Sequence, residues 1–279
     1  MKNKLTSRQL NAFVRYLKES EKSAATVDKY LRDVRAFYAF TAGREIDKQA
    51  VLDYKAHLGA HYAATSANSM LAALNTYLRF CEHTELCVKR FKVQREVFCT
   101  QQKELSRGEY FKLLEAARTG NNQRLCLILQ TICGTGIRVS ELPYITVESL
   151  HTGQPAVRCK GKNRRIFLVP ALRKKLIRYA KEQGICKGSI FVTKSGKPIT
   201  RHTVWRQMKG LCKAAGVLPS KVFPHNLRHL FARTFYKIEK DLAKLADILG
   251  HASINTTRIY IVTTGQEHLR KMQQMHLIL

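Results

Sequence analysis

Apolar residues recur at helical spacing through roughly the first ninety positions of this chain and then lose that spacing over roughly the next fifteen, so a helical unit ends there. Leu10, Phe13, Val14 and Leu17 share one helix face. Val27, Tyr30, Leu31, Val34, Phe37 and Tyr38 repeat the pattern after Ser23, a candidate N-cap. A weaker helix is predicted from Asp47 to His57, and Met70, Leu71, Leu74, Tyr77 and Leu78 mark a fourth. Residues 1–90 therefore read as a four-helix domain with short connections. Between Val88 and Lys103 polarity alternates without a helical stripe, and KRFKVQREVFCTQQK carries five basic residues, so a linker is expected over 91–104.

A second domain, 105–279, opens at Ser106, with Glu109 three residues on as its capping-box partner. Leu113 and Leu114 face a core, and the apolar run Leu125–Ile132 is a helix ending in Gly134-Thr135-Gly136. After Leu150 the pattern turns β-like: Ala156–Arg158 and Arg165–Val169 form a basic hairpin, with Gly161-Lys162-Asn163 as turn chemistry. Helices follow over Ala171–Glu182 and Thr203–Ala215, with a short Ile190-Phe191-Val192 strand between them. Two more are predicted at Asn226–Ile238 and Leu242–Leu249, before a short turn carrying Tyr260. The fold class is mainly α with a small β-hairpin: a helical N-terminal domain and a mixed, mostly helical second domain.

The net charge of +29 exceeds what solubility needs, and self-repulsion of that size is best explained by a polyanionic partner. The excess is uneven. Residues 1–100 carry +7, whereas 151–240 hold 22 basic and 2 acidic residues, so that stretch is expected to face phosphates. No apolar run approaches the roughly 18 residues of a membrane span, and the N-terminus MKNKLTSRQL lacks a signal-peptide core, so a cytoplasmic protein with no membrane partner is expected. The eight cysteines contain no C-x-x-C pair, which argues for reduced core residues and against zinc or a disulfide framework.

Four ordered segments carry chemistry: GTGIRVSEL with Arg138, CKGKNRR with Lys160, HNLRH with His225, Arg228 and His229, and LGHASINTTRIY with His251 and Tyr260. Arg138 follows glycines that let the backbone turn sharply, and Glu141 can orient its guanidinium. His225, Arg228 and His229 sit at i, i+3 and i+4, so one helix face can present all three to one anion. Lys160 stands where the hairpin leaves its first strand, a place from which a flexible ammonium can follow a leaving group.

In this order the segments resemble the signature boxes of the tyrosine recombinase (phage integrase, Xer-like) family. The resemblance spans almost the whole chain. It implies a core-binding domain joined to a catalytic domain, with DNA between them. It further implies that Arg138 and Arg228 clamp the scissile phosphate, that His225 and His251 hydrogen-bond it and help move protons, and that Tyr260 attacks phosphorus to give a 3′-phosphotyrosyl bond and a free 5′ hydroxyl. Lys160 is the expected general acid. Lys162, Arg164 and Arg165 are its rivals as general acid but are expected rather to grip backbone phosphates, as are Arg201 and Arg206, which flank Trp205; Trp205 itself could pack at a DNA contact but is read as a core residue. No metal and no cofactor is expected.

Two departures from the family pattern stand out. The glycine common after the second-arginine helix is missing from IEKDLAKLADILGH, and no arm-binding domain is expected ahead of the first helix. The expected function is site-specific recombination for a mobile element by a homotetramer on paired double-stranded DNA sites, with a Xer-like chromosome-resolving enzyme as the alternative. A type IB topoisomerase and a non-catalytic DNA-binding regulator are the readings from other classes. Beyond Tyr260, Leu269, Met272, Met275 and Leu277 suggest a tail that docks on a neighbouring subunit, with folding back in cis as the alternative.

Overall fold

The computed structural model describes residues 5–93, 104–159, 162–251, 253–260 and 273–275, apart from the side chains of 158, 159, 162 and 163. Lys160 and most of the tail after Tyr260 lie outside the described residues. The chain divides into two compact units, Met1–Arg95 and Glu96–Leu279.

The first unit holds α1 (Ser7–Glu19), α2 (Ala24–Thr41), α3 (Lys48–His61) and α4 (Ala64–Phe80). Thr6 and Gln9 close a capping box at the start of α1, and Asp47 caps α3 through the amide of Ala50. Ser23 precedes α2 without capping it; its hydroxyl pairs with that of Thr26 instead. The apolar stripes meet in one core of Phe13, Leu17, Val34, Phe37, Tyr54, Leu71, Leu74 and Tyr77. Within that core the hydroxyls of Tyr38 and Tyr77 hydrogen-bond at 3.2 Å.

The second unit opens with α5 (Arg107–Thr119), which starts at the Ser106–Glu109 capping box. Next comes α6 (Gln123–Thr135), apolar around most of its circumference and buried accordingly; α5 and the later helices Pro170–Glu182 and Pro224–Glu239 pack around it. It ends because Gly136 takes φ +67°, where a Cβ would stand 2.4 Å from the Phe231 ring. After α7 (Val147–Thr152) the hairpin pairs β1 (Ala156–Cys159) with β2 (Lys162–Arg165), Ala156 opposite Arg165 and Cys159 opposite Lys162.

The hairpin corrects the predicted strand boundaries, since Lys162 and Asn163 belong to β2 and not to the turn. From Ile166 to Val169 the residues still alternate between buried and exposed, yet the ladder stops. Opposite them the partner strand has run out at Pro155, whose carbonyl takes the Ile166 amide. The predicted strand at Ile190–Val192 is likewise reduced to isolated bridges, Thr146 with Ser189 and Val192 with Pro198, because neither partner runs alongside for more than one residue.

The remaining helices are α8 (Pro170–Glu182), α9 (Arg201–Ala215), α10 (Pro224–Glu239), α11 (Leu242–Leu249) and α12 (Ile254–Arg258). The absent glycine falls on Lys240, which caps α10 at φ +54°, a conformation that suits glycine. Cys126 and Cys212 are buried as expected, but Cys186 is exposed, because it follows the end of α8 outside any apolar stripe. Among the described residues no helix is long and apolar enough to cross a membrane, and no group of His, Cys, Asp or Glu is arranged to hold a metal ion.

Candidate active site

Four segments converge around Tyr260. The turn after α6 delivers Arg138 in extended backbone, φ −74° and ψ 147°, at the head of a 3-10 turn over Val139–Tyr144. Glu141, in that turn, is buried; it accepts from the Arg138 amide at 2.8 Å and from the Arg138 guanidinium at 3.1 Å. The carboxylate thus sets both the backbone and the side chain of Arg138, whose side chain remains 43% exposed.

Arg228 is the opposite case. Phe223-Pro224 starts α10 with proline in its first turn, and one turn later Arg228 points into the protein with only 1% exposure. Its guanidinium donates to the carbonyls of Gly136 at 2.6 Å and Leu249 at 2.8 Å, and to His251 Nε2 at 2.9 Å. The buried Nε–H has no acceptor among the described residues. Burial, followed by the charge of Arg138, pushes this guanidinium down to about 10, with Tyr260 opposing the shift.

Because Arg228 can only donate, His251 Nε2 must carry a lone pair and its proton must sit on Nδ1. That N–H donates to the Thr257 hydroxyl, at 2.8 Å. Burial, then the charges of Arg228, Arg138 and Arg164, push His251 down to about 4, so it is neutral at pH 7. Burial does the same to His229, also to about 4, and its ring packs 4.3 Å from that of Tyr260. His225 has an exposed outer edge, yet desolvation and then the charges of Arg228, Arg138 and Arg201 hold it below the usual imidazole value.

Tyr260 follows α12, which Ser253 caps, and its amide bonds the Thr257 carbonyl at 3.0 Å. The side chain is 5% exposed, with its ring 6.0 Å from the Arg228 guanidinium and its oxygen 3.4 Å from His225 Nε2. With His225 neutral, the hydroxyl can donate to that nitrogen. The arrangement places one phenol against an imidazole that can accept its proton, near two guanidinium charges, which is what an attack by a phenolate on an anionic centre requires.

The remaining sequence-predicted residues divide. Arg165, Arg201 and Arg206 are exposed, and Arg201 lies close enough to His225 to depress it. Lys160 and the side chain of Lys162 lie outside the described residues. The expectation for Arg164 is corrected: its side chain is 12% exposed and its guanidinium is turned inward, onto Glu141 and the Ile248 carbonyl. Trp205 is corrected as well. It is 43% exposed, with His202 stacked against it and Lys209 over its ring, because α9 buries the face of Val204, Met208 and Cys212 instead. Sequence reading passed over Thr257 as a partner of His251; six residues separate them, and α12 folds the pair together.

Residues 103–267 match the phage integrase family, and residues 10–85 match the phage integrase N-terminal SAM-like domain. The chain belongs to the phage integrase family. Similar proteins include tyrosine recombinase XerC of Lacticaseibacillus casei, 31% identical over 287 residues that cover 93% of this chain and 95% of the relative. Tyrosine recombinase XerD of Oceanobacillus iheyensis is 29% identical over 285 residues, covering 98% and 83%. Among solved structures, a XerA recombinase aligns with TM-score 0.54 at 27% identity, covering 99% of this chain and all of that one. XerH bound to palindromic difH in a post-cleavage complex aligns with TM-score 0.75 at 20% identity, covering 96% and 84%, a likeness of fold. This protein is a tyrosine-type site-specific recombinase.

Proposed function

We propose that the chain cuts and rejoins double-stranded DNA at paired sites through Tyr260, and the observation that carries this is the Tyr260 oxygen beside neutral His225 within reach of the Arg138 and Arg228 charges. The Tyr260 oxygen forms a bond to phosphorus as its proton passes to His225 Nε2. The bond to the 5′ oxygen breaks, and that oxygen leaves with the electron pair and takes a proton from Lys160. A 5′ hydroxyl from the partner site then attacks phosphorus, giving its proton to the neutral Lys160 amine, while the bond to the Tyr260 oxygen breaks and that oxygen takes its proton back from His225, so the bond energy is retained. Arg138 and Arg228 hold the non-bridging oxygens, their planar forks suiting two-point contact. The unpaired Nε–H of Arg228 supports this, since a buried donor without an acceptor costs about 1–3 kcal/mol that a phosphoryl oxygen would recover. As Tyr260 covers Arg228, the ring must shift when the phosphate enters.

The N-terminal helical unit acts as the core-binding domain and the second unit as the catalytic one, in a cytoplasmic tetramer on two sites. The biological role proposed is integration or excision of a mobile element. Chromosome resolution of the Xer kind is the second reading, favoured by relatives named XerC and XerD that this chain matches over most of their length.

The test uses nicked site DNA taken from the flanks of the gene. Wild type traps an SDS-stable covalent adduct, with or without EDTA, while Tyr260→Phe binds equally and traps none. An adduct in the Phe variant removes Tyr260 from its role.

A further inference from the structure

Arg164 has a charge that solvent hardly reaches, which is unusual in a stretch as basic as 151–240. From β2 its guanidinium divides between two elements. One Nη donates to Glu141 Oε2, the carboxylate oxygen that also takes the Arg138 amide, and the other donates to the carbonyl of Ile248 near the end of α11. The next carbonyl, Leu249, receives Arg228. Gly250 then turns the chain at φ +64°, and a Cβ there would stand 2.6 Å from Arg164 Cδ, so the stem of Arg164 packs directly on the turn that presents His251.

We infer that Arg164 is a positioning residue for strand cleavage: by bridging Glu141 and the Ile248 carbonyl it locks Arg138 and the His251 turn in register with the hairpin. The inference rests on the role proposed above for Arg138 and on the phosphate contact that the family resemblance implies for His251. Geometry explains why arginine is needed. Glu141 lies in the 3-10 turn and Ile248 in α11, and only a planar fork can hold both at once. A lysine can reach either one. The charged and titratable groups facing His251 are Arg228 and His225 from α10, Arg138 from the 3-10 turn and Arg164 from β2, with the Tyr260 ring 5.2 Å away. Loss of the Arg164 charge therefore also makes His251 easier to protonate.

The test is made on the full chain. Arg164→Gln lowers single-turnover cleavage at saturating protein by about 10- to 100-fold, the usual cost of removing a partner that orients a ligating group. The dissociation constant for site DNA and its salt dependence stay at wild-type values. The acid limb of the cleavage rate moves to higher pH. Arg164→Lys, which keeps the charge and loses the fork, restores the acid limb but not the rate; it also serves where Arg164→Gln does not fold. In both variants the Gly250 and His251 amides, bonded at 3.0 Å to Asp247 and Ala246, exchange faster with solvent. Normal cleavage with an unmoved pH profile overturns the inference. So does weaker binding with a salt slope shallower by about 0.9, one phosphate contact, and unchanged saturated cleavage. If wild type forms no adduct at all, the reading of Tyr260 fails by itself, and amide exchange decides Arg164, unchanged exchange counting against it.

Discussion

At the scale of single residues, the two arginines proposed to clamp the phosphate are equal in the sequence and unequal in the fold. Arg138 is set by one buried carboxylate and stays open, while Arg228 is buried and held by two carbonyls and a histidine. Replacing either by lysine keeps the charge but loses the fork, and single-turnover cleavage should slow by about 2–4 kcal/mol in barrier. Arg228→Lys should also lower the melting temperature, since two backbone carbonyls lose their donor, whereas Arg138→Lys should leave it near wild type. Near-normal cleavage by either variant removes that residue from the clamp. The imidazoles make a second prediction. His229 and His251 are depressed to about 4, below the unfolded value near 6.5, so the unfolded chain binds more protons between those limits. Stability should therefore fall as pH drops from about 6.5 toward 5, and His229→Phe should flatten part of that fall in thermal melts. Equal slopes in the two proteins would mean that His229 is not held neutral. The residue types at this site were legible from four motifs, but their states were not: nothing in HNLRH says that its arginine is buried, and Arg164 could not be told from Arg165 until Glu141, 23 positions earlier, was seen against it.

At the scale of elements, local chemistry predicted starts better than it predicted edges. The Ser106–Glu109 capping box is present because both halves lie within one turn, and α11 runs over Leu242–Leu249 as its apolar spacing indicates. The hairpin was misplaced because strand length depends on a partner, and no local pattern tells where Pro155 ends the ladder. Trp205 was misread for a related reason. An aromatic residue in a helix is core only if its face is the one covered, and Val204, Met208 and Cys212 claim that face in α9. The missing glycine carries a prediction of its own. Lys240, whose amide bonds the Tyr236 carbonyl at 2.9 Å, turns the chain out of α10 at φ +54°, a conformation that costs a side chain and costs glycine little. Lys240→Gly should stabilise the protein by about 1 kcal/mol, raising the melting midpoint of the second unit by roughly 2–4 °C. A lower midpoint would mean that the lysine side chain contributes more than its backbone strain costs.

At the scale of the molecule, each unit has a core of its own, and the sequence break near residue 90 marks the boundary only approximately. The spacing loss is visible in the sequence; what holds the chain just before it is not. Two asparagines on α4, seven residues apart and so on one face, each grip a backbone amide with both ends of the side chain. Asn75 pairs with Val88 at 2.8 and 3.1 Å, and Asn68 pairs with Phe91 at 2.9 and 2.7 Å. Lys48 donates to the carbonyls of Glu85 and Cys87, and Gly59 leaves room for the Phe91 ring, 3.0 Å from where a Cβ would stand. Residues 88–91 therefore belong to the first unit although they carry no helical stripe. The described core of that unit runs from Phe13 to Val88, within residues 1–95, so a fragment of residues 1–95 should fold alone and melt cooperatively by circular dichroism. A fragment of residues 1–87 loses four hydrogen bonds from Asn68 and Asn75, each contributing about 0.5–1.5 kcal/mol, together with the packing of Phe91. At roughly 4–8 °C per kcal/mol for a unit of this size, its midpoint should lie at least about 10 °C lower. Equal midpoints would show that the asparagine grips add nothing to the fold, and a longer fragment that stays unfolded would show that the first unit needs the second to form its core.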